Sequence, residues 1–410
     1  MTHPDVTPLA EARKKILSRL TPLEKREQIA VMEARQRYAA QSLSSTVDLP
    51  PTNNAAVDGF GVHSGFLEKH PDHEFKVTGF ARAGHPFEGT IPAGNAVRIF
   101  TGAVMPNGPD CVFMHEDCDE KNGFVRCSLP PKKGLNIRTK GENLSTGEAL
   151  LSAGQKITSA DIAQLSAAGV SEISVSQRLK IAILSTGDEL APAGKTLTHG
   201  RVFDSNAPML SALVRADGHL VQQGGIVSDK RAALASAYEH ALDRCDVVLS
   251  SGGASDGHED HTQGALADIG ADCIVWRLAI KPGRPMAVAV RGKQLICCLP
   301  GNPVATFVCY KMLVSALLDR LAGGHPRSVF SLKVPAGFSM TKSAGRAEFL
   351  RARIDTNPDG TSVICLHGRK GAGVISSLTG ADGLVELPLE VETISAGQLL
   401  SFIPFQEVTL

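Results

Sequence analysis

The segment from residue 247 to residue 303 constrains the fold more than any other part of the sequence. Short apolar runs there, such as residues 247–249 and 295–299, end in turn-rich loops of Ser-Gly-Gly, Lys-Pro-Gly-Arg-Pro or Pro-Gly-Asn-Pro. Apolar runs that stop at such loops and precede helices are typical of a parallel sheet. Ligands of these sheets bind outside the carboxyl ends of the strands. The backbone amides, carboxylates and cations in these loops favour an anionic ligand held together with a divalent metal.

Strands and helices alternate through the surrounding region, residues 179–325. The predicted strands are residues 180–184, 219–222, 247–249, 273–278, 286–290 and 294–299. The predicted helices begin at Asp204-Ser205-Asn206 and cover residues 230–244, 262–269 and 304–321. This alternation predicts a doubly wound α/β domain of ordinary size.

Three further domains are predicted around the α/β domain. Residues 46–139 are rich in Gly, Pro and short alternating runs, which indicates a β-rich domain inserted into a helical first domain of residues 1–45 and 140–178. Residues 326–410 return to alternating runs and predict a C-terminal β domain. In the first domain we expect helices at residues 8–20 and 33–41, a strand at 28–32, and a helix after Thr158 that packs on the N-terminal helices.

Composition limits the classes of partner and compartment. The chain has 410 residues, with 42 Lys and Arg against 42 Asp and Glu, so bulk binding to nucleic acid or to an acidic membrane is not expected. Its nine Cys show no C-x-x-C spacing, which favours buried thiols in a reducing compartment. Neither a signal-peptide apolar region nor a run of about 18 apolar residues occurs, and we predict a cytoplasmic protein.

Six carboxylates fall in loops beside Gly, Ser or Asn. Mg²⁺ prefers carboxylate and phosphate oxygens of this kind as ligands. The alternative is that these carboxylates are ordinary solvated residues, since surface loops are often rich in acidic side chains. A zinc site at residues 258–261 is disfavoured because the H-E-x-x-H spacing is missing. The six are Asp58, Glu189, Asp204, Asp256, Glu259 and Asp260.

Two loops are candidates for binding an anion. Ser251-Gly252-Gly253, followed by Ser255, is a candidate nest of backbone amides for a phosphate or a carbonyl-rich ring. Lys281 and Arg284 flank a Pro-Gly turn that would fix both cations, and Arg346 and Arg351 could add to the same site; ordinary surface charges are the alternative. Dinucleotide, P-loop and G-x-S-x-G motifs do not occur in the right context, which disfavours nicotinamide chemistry and covalent catalysis.

A series of motifs extends over nearly the whole chain, and their order and spacing make the series specific. The motifs are Val57-Asp58-Gly59-Phe60, Thr101-Gly102-Ala103, Gly141-Glu142, residues 184–190, Asp204-Ser205-Asn206, Ser251-Gly252-Gly253, Lys281-Pro282-Gly283-Arg284-Pro285 and Leu299-Pro300-Gly301-Asn302-Pro303. Taken together, they resemble those of the MoeA family of molybdopterin molybdenumtransferases and the related E domain of gephyrin.

The resemblance implies an architecture and a reaction. The architecture is a central MogA-like α/β domain, an inserted β-rich domain, a helical first domain and a C-terminal β-barrel-like domain. In the reaction, molybdate is inserted into adenylylated molybdopterin with release of AMP and the help of Mg²⁺. Members of the family form homodimers, so the resemblance implies active sites between the α/β domain of one subunit and the β-rich domain of the other. Its partners would be a MogA- or MoaB-type adenylyltransferase and downstream molybdoenzymes or cofactor-maturation proteins.

The resemblance also assigns roles to residues. Asp58, Thr101, Glu189 and Asp260 would be catalytic, and Glu189, Asp204 and Asp260 would hold the metal. Molybdate would be bound by Lys281, Arg284, Pro285, Arg346, Arg351 and a serine at Ser376 or Ser377. The substrate would be bound by Asp204, Asn206, Ser251, Gly252, Gly253, Ser255, Pro300, Gly301, Asn302 and Pro303.

Several positions depart from the family's usual pattern. Asn143 and Ala305 stand where Asp and Ser are common, Asp256 adds a charge, and Arg284 and Val57 replace the commoner Lys and Met. These departures leave two alternatives open beside the enzyme. One is a paralogue that binds molybdopterin or the finished cofactor without inserting metal, and the other is a gephyrin-like scaffold. The retained carboxylates favour the enzyme.

Overall fold

A six-stranded sheet in the predicted α/β segment forms the centre of the molecule. The computed structural model describes residues 6–252, 261–326 and 328–405. From one edge to the other, the strands are Leu220–Val227, Lys180–Thr186, Val247–Ser251, Gln294–Leu299, Pro285–Arg291 and Asp272–Arg277. All run parallel except Pro285–Arg291, which is antiparallel to both its neighbours. The predicted strands are confirmed, and the sheet is mixed at one edge.

Helices cover both faces of this sheet, as a doubly wound fold requires. Alternate residues of a strand point to opposite faces, so Ile183 and Leu184 belong to different apolar clusters. The predicted helix at residues 304–321 is present, with a π-helical turn at Tyr310–Val314 in its middle. The helices of the domain are Asn206–Ala216, Arg231–Leu242, His261–Asp268, Pro303–Cys309 and Ser315–Leu321.

The N-terminal helix, Leu9–Leu17, packs on the α/β domain and not on the first domain. Its buried residues Ala12 and Ile16 belong to the largest apolar cluster, together with strands and helices of the central sheet. The helix Ser159–Ala167 instead packs in a separate small cluster with the strands Arg26–Ala30 and Glu172–Ser176. The expectation that these two helices pack together is therefore wrong.

The predicted helix at residues 33–41 is also wrong. Only a 3₁₀ turn at Val31–Glu33 forms, because Gln36 adopts a φ of 65°, which ends right-handed helix. Beyond it the chain is extended, with the Ala39 amide donating to the Gln155 carbonyl at 2.9 Å and the Ala40 amide to the Ser174 carbonyl at 3.0 Å. Tertiary hydrogen bonds override the helical propensity of this Ala- and Arg-rich stretch.

The inserted segment forms a second six-stranded sheet, as predicted from its alternating runs. A short helix, Ser64–Lys69, interrupts the strands. In spatial order the strands are Cys111–Met114, Gly59–Val62, Asn95–Ile99, Phe75–Ala81, Phe124–Cys127 and Cys118–Lys121.

A third sheet is formed by the C-terminal segment and one short strand of the α/β segment. In spatial order its strands are Ile280–Lys281, Ala347–Thr356, Gly383–Leu387, Leu399–Pro404 and Leu332–Pro335, with Ser362–Leu366 also paired to Ala347–Thr356. Because Ile280–Lys281 joins this sheet, the last domain is attached directly to a loop of the predicted anion site.

Short elements complete the described part of the chain. Two 3₁₀ turns lie at His115–Asp117 and Ile375–Ser377. Four short strand pairs are Leu43–Ser44 with Ala149–Leu151, Asn54–Ala55 with Ile137–Arg138, Leu190–Ala191 with Val202–Phe203, and Met340–Thr341 with Thr393–Ile394. None of the helices in the described residues is long and apolar enough to cross a membrane.

Candidate functional site

A cavity of about 540 Å³ lies between the α/β domain and the last β domain. We call it the interdomain cavity. The α/β domain contributes the loops at residues 280–285 and 300–305, and the last domain contributes residues 340–351 and 370–372. Six cationic residues line it: Lys281, Arg284, Lys342, Arg346, Arg351 and Lys370. A cavity with this many cations is suited to an anion.

The first wall of the cavity is the Lys-Pro-Gly-Arg-Pro loop. Lys281 pairs in register with Glu348, and its Nζ donates to Glu348 Oε1 at 3.1 Å. Gly283 has a φ of 118°, and a Cβ there would lie 2.7 Å from Cys309 Sγ. Glycine is therefore required for this loop to pack against the helix that follows the Pro-Gly-Asn-Pro loop.

Arg351 forms the opposite wall and is almost completely buried. Its Nε donates to Ser377 Oγ at 2.8 Å, and one of its terminal nitrogens donates to the Arg369 carbonyl at 2.8 Å. Burial lowers the pKa of the guanidinium from its usual value, because desolvation disfavours the charged form. No carboxylate pairs with Arg351 among the described residues, so this buried cation has no protein counter-ion there.

The Pro-Gly-Asn-Pro loop is held by hydrogen bonds from both sides. Asn206 Nδ2 donates to the Gly301 carbonyl at 2.7 Å, which links this loop to the first turn of the helix Asn206–Ala216. Thr306 Oγ1 donates to the Pro300 carbonyl at 2.5 Å, and Pro303 begins the next helix. On the other side, the Val304 amide donates to the Ala372 carbonyl of the last domain at 3.0 Å. The loop is therefore a rigid joint between the two domains.

Ser251 and Gly252 lie at the carboxyl end of the central strand. Gly252 has a φ of 94°, and a Cβ there would lie 2.1 Å from the Thr186 carbonyl oxygen. Ser251 Oγ and Asn206 Oδ1 are buried without a hydrogen-bond partner in the described part of the chain. A buried polar atom of this kind costs free energy unless a ligand or water satisfies it. Gly253 and Ser255 of the predicted nest lie outside the described residues.

Two of the three predicted metal ligands are described, and they flank one pair of strands. Glu189 immediately precedes the strand Leu190–Ala191, and Asp204 immediately follows its partner strand Val202–Phe203. The side chain of Glu189 is exposed. Asp204 Oδ1 accepts from the amides of Asn206 at 3.0 Å and Ala207 at 3.1 Å, which leaves Oδ2 available. These oxygens are of the type that Mg²⁺ prefers. The third ligand, Asp260, and the neighbouring Asp256 and Glu259 lie outside the described residues, and the described residues alone hold no group of three or more such ligands.

Asp58 and Thr101 meet in the β-rich domain. Asp58 Oδ1 accepts from both the amide and Oγ1 of Thr101, each at 2.7 Å, and these hydrogen bonds hold the pKa of the carboxyl below its usual value. Beside them, Gly102 lines a second cavity of about 370 Å³, together with Arg138 and Asn143. Neither Asp58 nor Thr101 lines the interdomain cavity.

The interdomain cavity gathers seven of the residues singled out from the sequence. These are Lys281, Arg284, Pro285, Pro300, Asn302, Arg346 and Arg351. Ser377 reaches the cavity only through Arg351, while Ser376 is exposed and does not line it. Ala305, one of the departures from the family pattern, lines the cavity. Lys342, Glu348 and Lys370 also line the cavity and were not predicted, because none of them belongs to a recognisable motif.

The fold and the cavity define a class of protein. It is a multidomain α/β protein with a cation-lined cavity between the carboxyl edge of its central sheet and a separate β domain, where the ligands of such sheets bind. Three family models match in succession: the MoeA N-terminal region (domain I and II) over residues 7–169, a probable molybdopterin binding domain over 182–320, and the MoeA C-terminal region (domain IV) over 333–405.

Relatives and solved structures agree with these matches. The chain is 32% identical to a molybdopterin molybdenumtransferase of Haemophilus influenzae over 98% of this chain and 99% of the relative. It is 34% identical to one from Nostoc over 78% and 75%. A Pyrococcus horikoshii MoeA structure superposes with a TM-score of 0.77 at 28% identity, over 98% of this chain and 100% of that one. The chain belongs to the MoeA family.

Proposed function

We propose that the chain is a molybdopterin molybdenumtransferase, which transfers molybdenum from molybdate to adenylylated molybdopterin and releases AMP. The Haemophilus influenzae relative that bears this name matches almost the whole chain, which supports the proposal. The observation that carries it is the buried guanidinium of Arg351, which lies in a cavity lined by other cations and has no carboxylate partner in the described ranges. A buried cation is costly unless an anion compensates it.

Molybdate is a dianion that loses its hydration shell when it binds. Arg351 is the donor best suited to replace that shell, because its packing fixes the guanidinium before the ligand arrives. Lys281 and Arg284 lie on the Lys-Pro-Gly-Arg-Pro loop on the other side of the cavity, so an oxyanion between the two walls would be held by both domains. This arrangement binds and orients the anion and needs no protein nucleophile.

The pterin substrate would bind along the carboxyl edge of the central sheet, next to the cavity. Ser251 Oγ and Asn206 Oδ1 are the unsatisfied buried atoms at this edge, and they would hydrogen-bond the substrate. Glu189 and Asp204, with Asp260, would hold Mg²⁺. When bound, Mg²⁺ would polarise the pyrophosphate of the adenylyl group for cleavage.

A second copy of the chain would complete the site. Asp58 and Thr101 form a preorganised carboxylate loop, yet they lie in another domain and do not line the interdomain cavity. In the proposed homodimer this loop reaches the α/β domain of the partner. The substrate would be supplied by a MogA- or MoaB-type adenylyltransferase, and the product would be passed to molybdoenzymes or their maturation proteins.

The test is a reconstitution with purified protein, adenylylated molybdopterin, Mg²⁺ and micromolar molybdate. We expect molybdate-dependent release of AMP and activation of a molybdenum-free apoenzyme. Arg351→Met should reduce the rate at subsaturating molybdate by about 100-fold, since it removes a fixed charged donor. Arg353→Met, on an exposed position of the same strand, is the matched control and should leave the rate unchanged. Tight binding of the pterin without molybdate-dependent AMP release would instead identify a carrier on the same fold.

A further inference from the structure

Glu348 is the one acidic residue among the described residues that line the interdomain cavity. Its side chain is 7% exposed, and its hydrogen-bond partner is Lys281, at 3.1 Å. The two residues are register partners in the parallel pair between Ile280–Lys281 and Ala347–Thr356. The pair therefore crosses from a loop of the α/β domain to the sheet of the last domain.

A carboxylate at this place works against an anionic ligand. Two like charges a few ångströms apart repel each other, and the repulsion is stronger in a partly desolvated cavity than in water. Two other cations of the cavity are held by groups other than Glu348. Arg351 is held by Ser377 and backbone carbonyls, and Lys342 Nζ donates to three backbone carbonyls, including that of Arg346 at 3.0 Å. Lys281 is the cation that Glu348 holds.

Lys281 needs a partner to keep its position. Its side chain is 54% exposed, and a lysine has four flexible bonds and a strongly hydrated ammonium. By contrast, the backbone of Glu348 is fixed within a central part of the last sheet, between Ile280–Lys281 and Gly383–Leu387. A buried, backbone-fixed carboxylate is well suited to hold a mobile ammonium at one point.

We propose that Glu348 is a positioning residue that fixes the Lys281 ammonium in the wall of the cavity, where it binds the oxyanion. This inference rests on the proposed function of the cavity as an oxyanion site. The gain in fixing Lys281 exceeds the repulsion between Glu348 and the ligand, because Lys281 lies against the carboxylate and shields it.

The two effects of Glu348 predict opposite results for its removal, which makes the proposal testable. If the carboxylate acted only through its charge, Glu348→Ala and Glu348→Gln would both tighten oxyanion binding. If it positions Lys281, Glu348→Ala weakens binding, while Glu348→Gln retains an acceptor oxygen for Lys281 and binds at least as tightly as the wild type. Lys281→Met removes the group through which Glu348 acts and leaves the carboxylate unshielded, so Glu348→Ala should then tighten binding and no longer weaken it.

The experiment measures molybdate binding to the full chain by isothermal titration calorimetry. We expect Glu348→Ala to weaken binding by about fivefold in the wild-type background and to tighten it in the Lys281→Met background. Glu386→Gln, on the adjacent strand and outside the cavity lining, is the matched control. Thermal unfolding of each variant checks that the fold is kept. If Glu348→Ala does not fold, Glu348→Asp replaces it, because aspartate keeps the charge but withdraws the acceptor from Lys281 by one methylene: weaker binding supports positioning, and unchanged binding overturns it.

Three outcomes would overturn the inference. Tighter binding in Glu348→Ala would show that the carboxylate acts by repulsion, and an equal effect of Glu348→Ala with and without Lys281 would show that it acts elsewhere. Weakening by Glu348→Gln as large as that by Glu348→Ala would show that the acceptor oxygen is not sufficient. Failure of the proposed function looks different: the wild type would bind molybdate, and the variants would behave as expected, without molybdate-dependent release of AMP.

Discussion

Arg351 Nε donates to Ser377 Oγ at 2.8 Å, and Ser377 Oγ donates in turn to the Val374 carbonyl at 2.6 Å. This chain of hydrogen bonds ties the guanidinium to a 3₁₀ turn, Ile375–Ser377, that follows the cavity loop. The serine hydroxyl cannot turn away from Arg351 without losing its own acceptor. Ser377 is therefore a support for the buried arginine and does not line the cavity itself.

Ser377→Ala should weaken molybdate binding by about threefold and lower the free energy of unfolding by about 1 kcal/mol, because Arg351 loses one buried hydrogen-bond acceptor. Calorimetric titration and urea unfolding measure the two effects. Ser376→Ala is the adjacent control, since Ser376 is exposed, and it should change neither quantity. Equal effects of the two substitutions would show that the turn as a whole, and not the Arg351 contact, matters.

Gly252→Ala should disrupt the carboxyl end of the central strand. Alanine there would have to adopt a φ of 94° and would place its Cβ 2.1 Å from the Thr186 carbonyl oxygen. We expect a loss of about 3 kcal/mol in the free energy of unfolding, and loss of pterin binding. Gly270→Ala is the control, because Gly270 also has a positive φ, 68°, but has open space around it. It should cost about 1 kcal/mol and spare binding, as backbone strain alone predicts.

The sequence was sufficient to predict the α/β domain because its inner strands are apolar on both faces and end at turn-rich loops. Val247–Ser251 is buried throughout, so its prediction did not depend on which side faces the core. The error at residues 33–41 has the opposite origin. Gln36 adopts a left-handed conformation, and the amides of Ala39 and Ala40 bond to distant parts of the chain. Local propensity contains no information about such partners.

The candidate site was predictable to the extent that its residues lie in rigid turns. The Lys-Pro-Gly-Arg-Pro and Pro-Gly-Asn-Pro loops are recognisable because their prolines and glycines determine the backbone. Glu348 and Lys370 were missed because their role arises from the packing of the last domain on the first of these loops. The meeting of Asp58 with Thr101 was likewise not derivable, since 43 residues separate them in the chain.

His219 should make the folded protein less stable in acid, because its imidazole takes up a proton when the chain unfolds. Its imidazole is 5% exposed, neither nitrogen has a hydrogen-bond partner in the described ranges, and burial, together with the charges of Lys156, Arg178 and Arg37, lowers its pKa to about 3. The unfolded chain binds this proton near pH 6.5, whereas the folded chain does not until about pH 3. The contribution of His219 to the free energy of unfolding is therefore fully present above pH 6.5. Below that pH it decreases by about 1.4 kcal/mol per pH unit.

His219→Leu should remove this contribution. Between pH 6.5 and pH 5 the wild type should lose about 2 kcal/mol more of its unfolding free energy than the variant, measured by urea unfolding at each pH. His199→Leu, at an exposed position, should retain the pH dependence of the wild type. If His219→Leu and the wild type had parallel pH profiles, the folded and unfolded chains would bind this proton equally, and the pKa of His219 would not be lowered by folding.

Two inactive variants should restore activity to each other if the active site is shared between subunits. Asp58→Ala removes the carboxylate loop and Arg351→Met removes the cavity cation, so each homodimer alone should be inactive. In a mixed dimer both substitutions fall in one site, and the other site keeps an intact Asp58 opposite an intact Arg351. An equal mixture, exchanged by mild denaturation and refolding, should therefore recover about a quarter of the wild-type rate of AMP release, because half of the dimers are mixed and each has one intact site.

Asp58→Ala refolded with Thr101→Val provides the control, since both substitutions alter the same loop and no intact site can form. A mixture of Asp58→Ala and Arg351→Met that stays inactive while mixed dimers are present would place Asp58 and Arg351 of the same chain in one site.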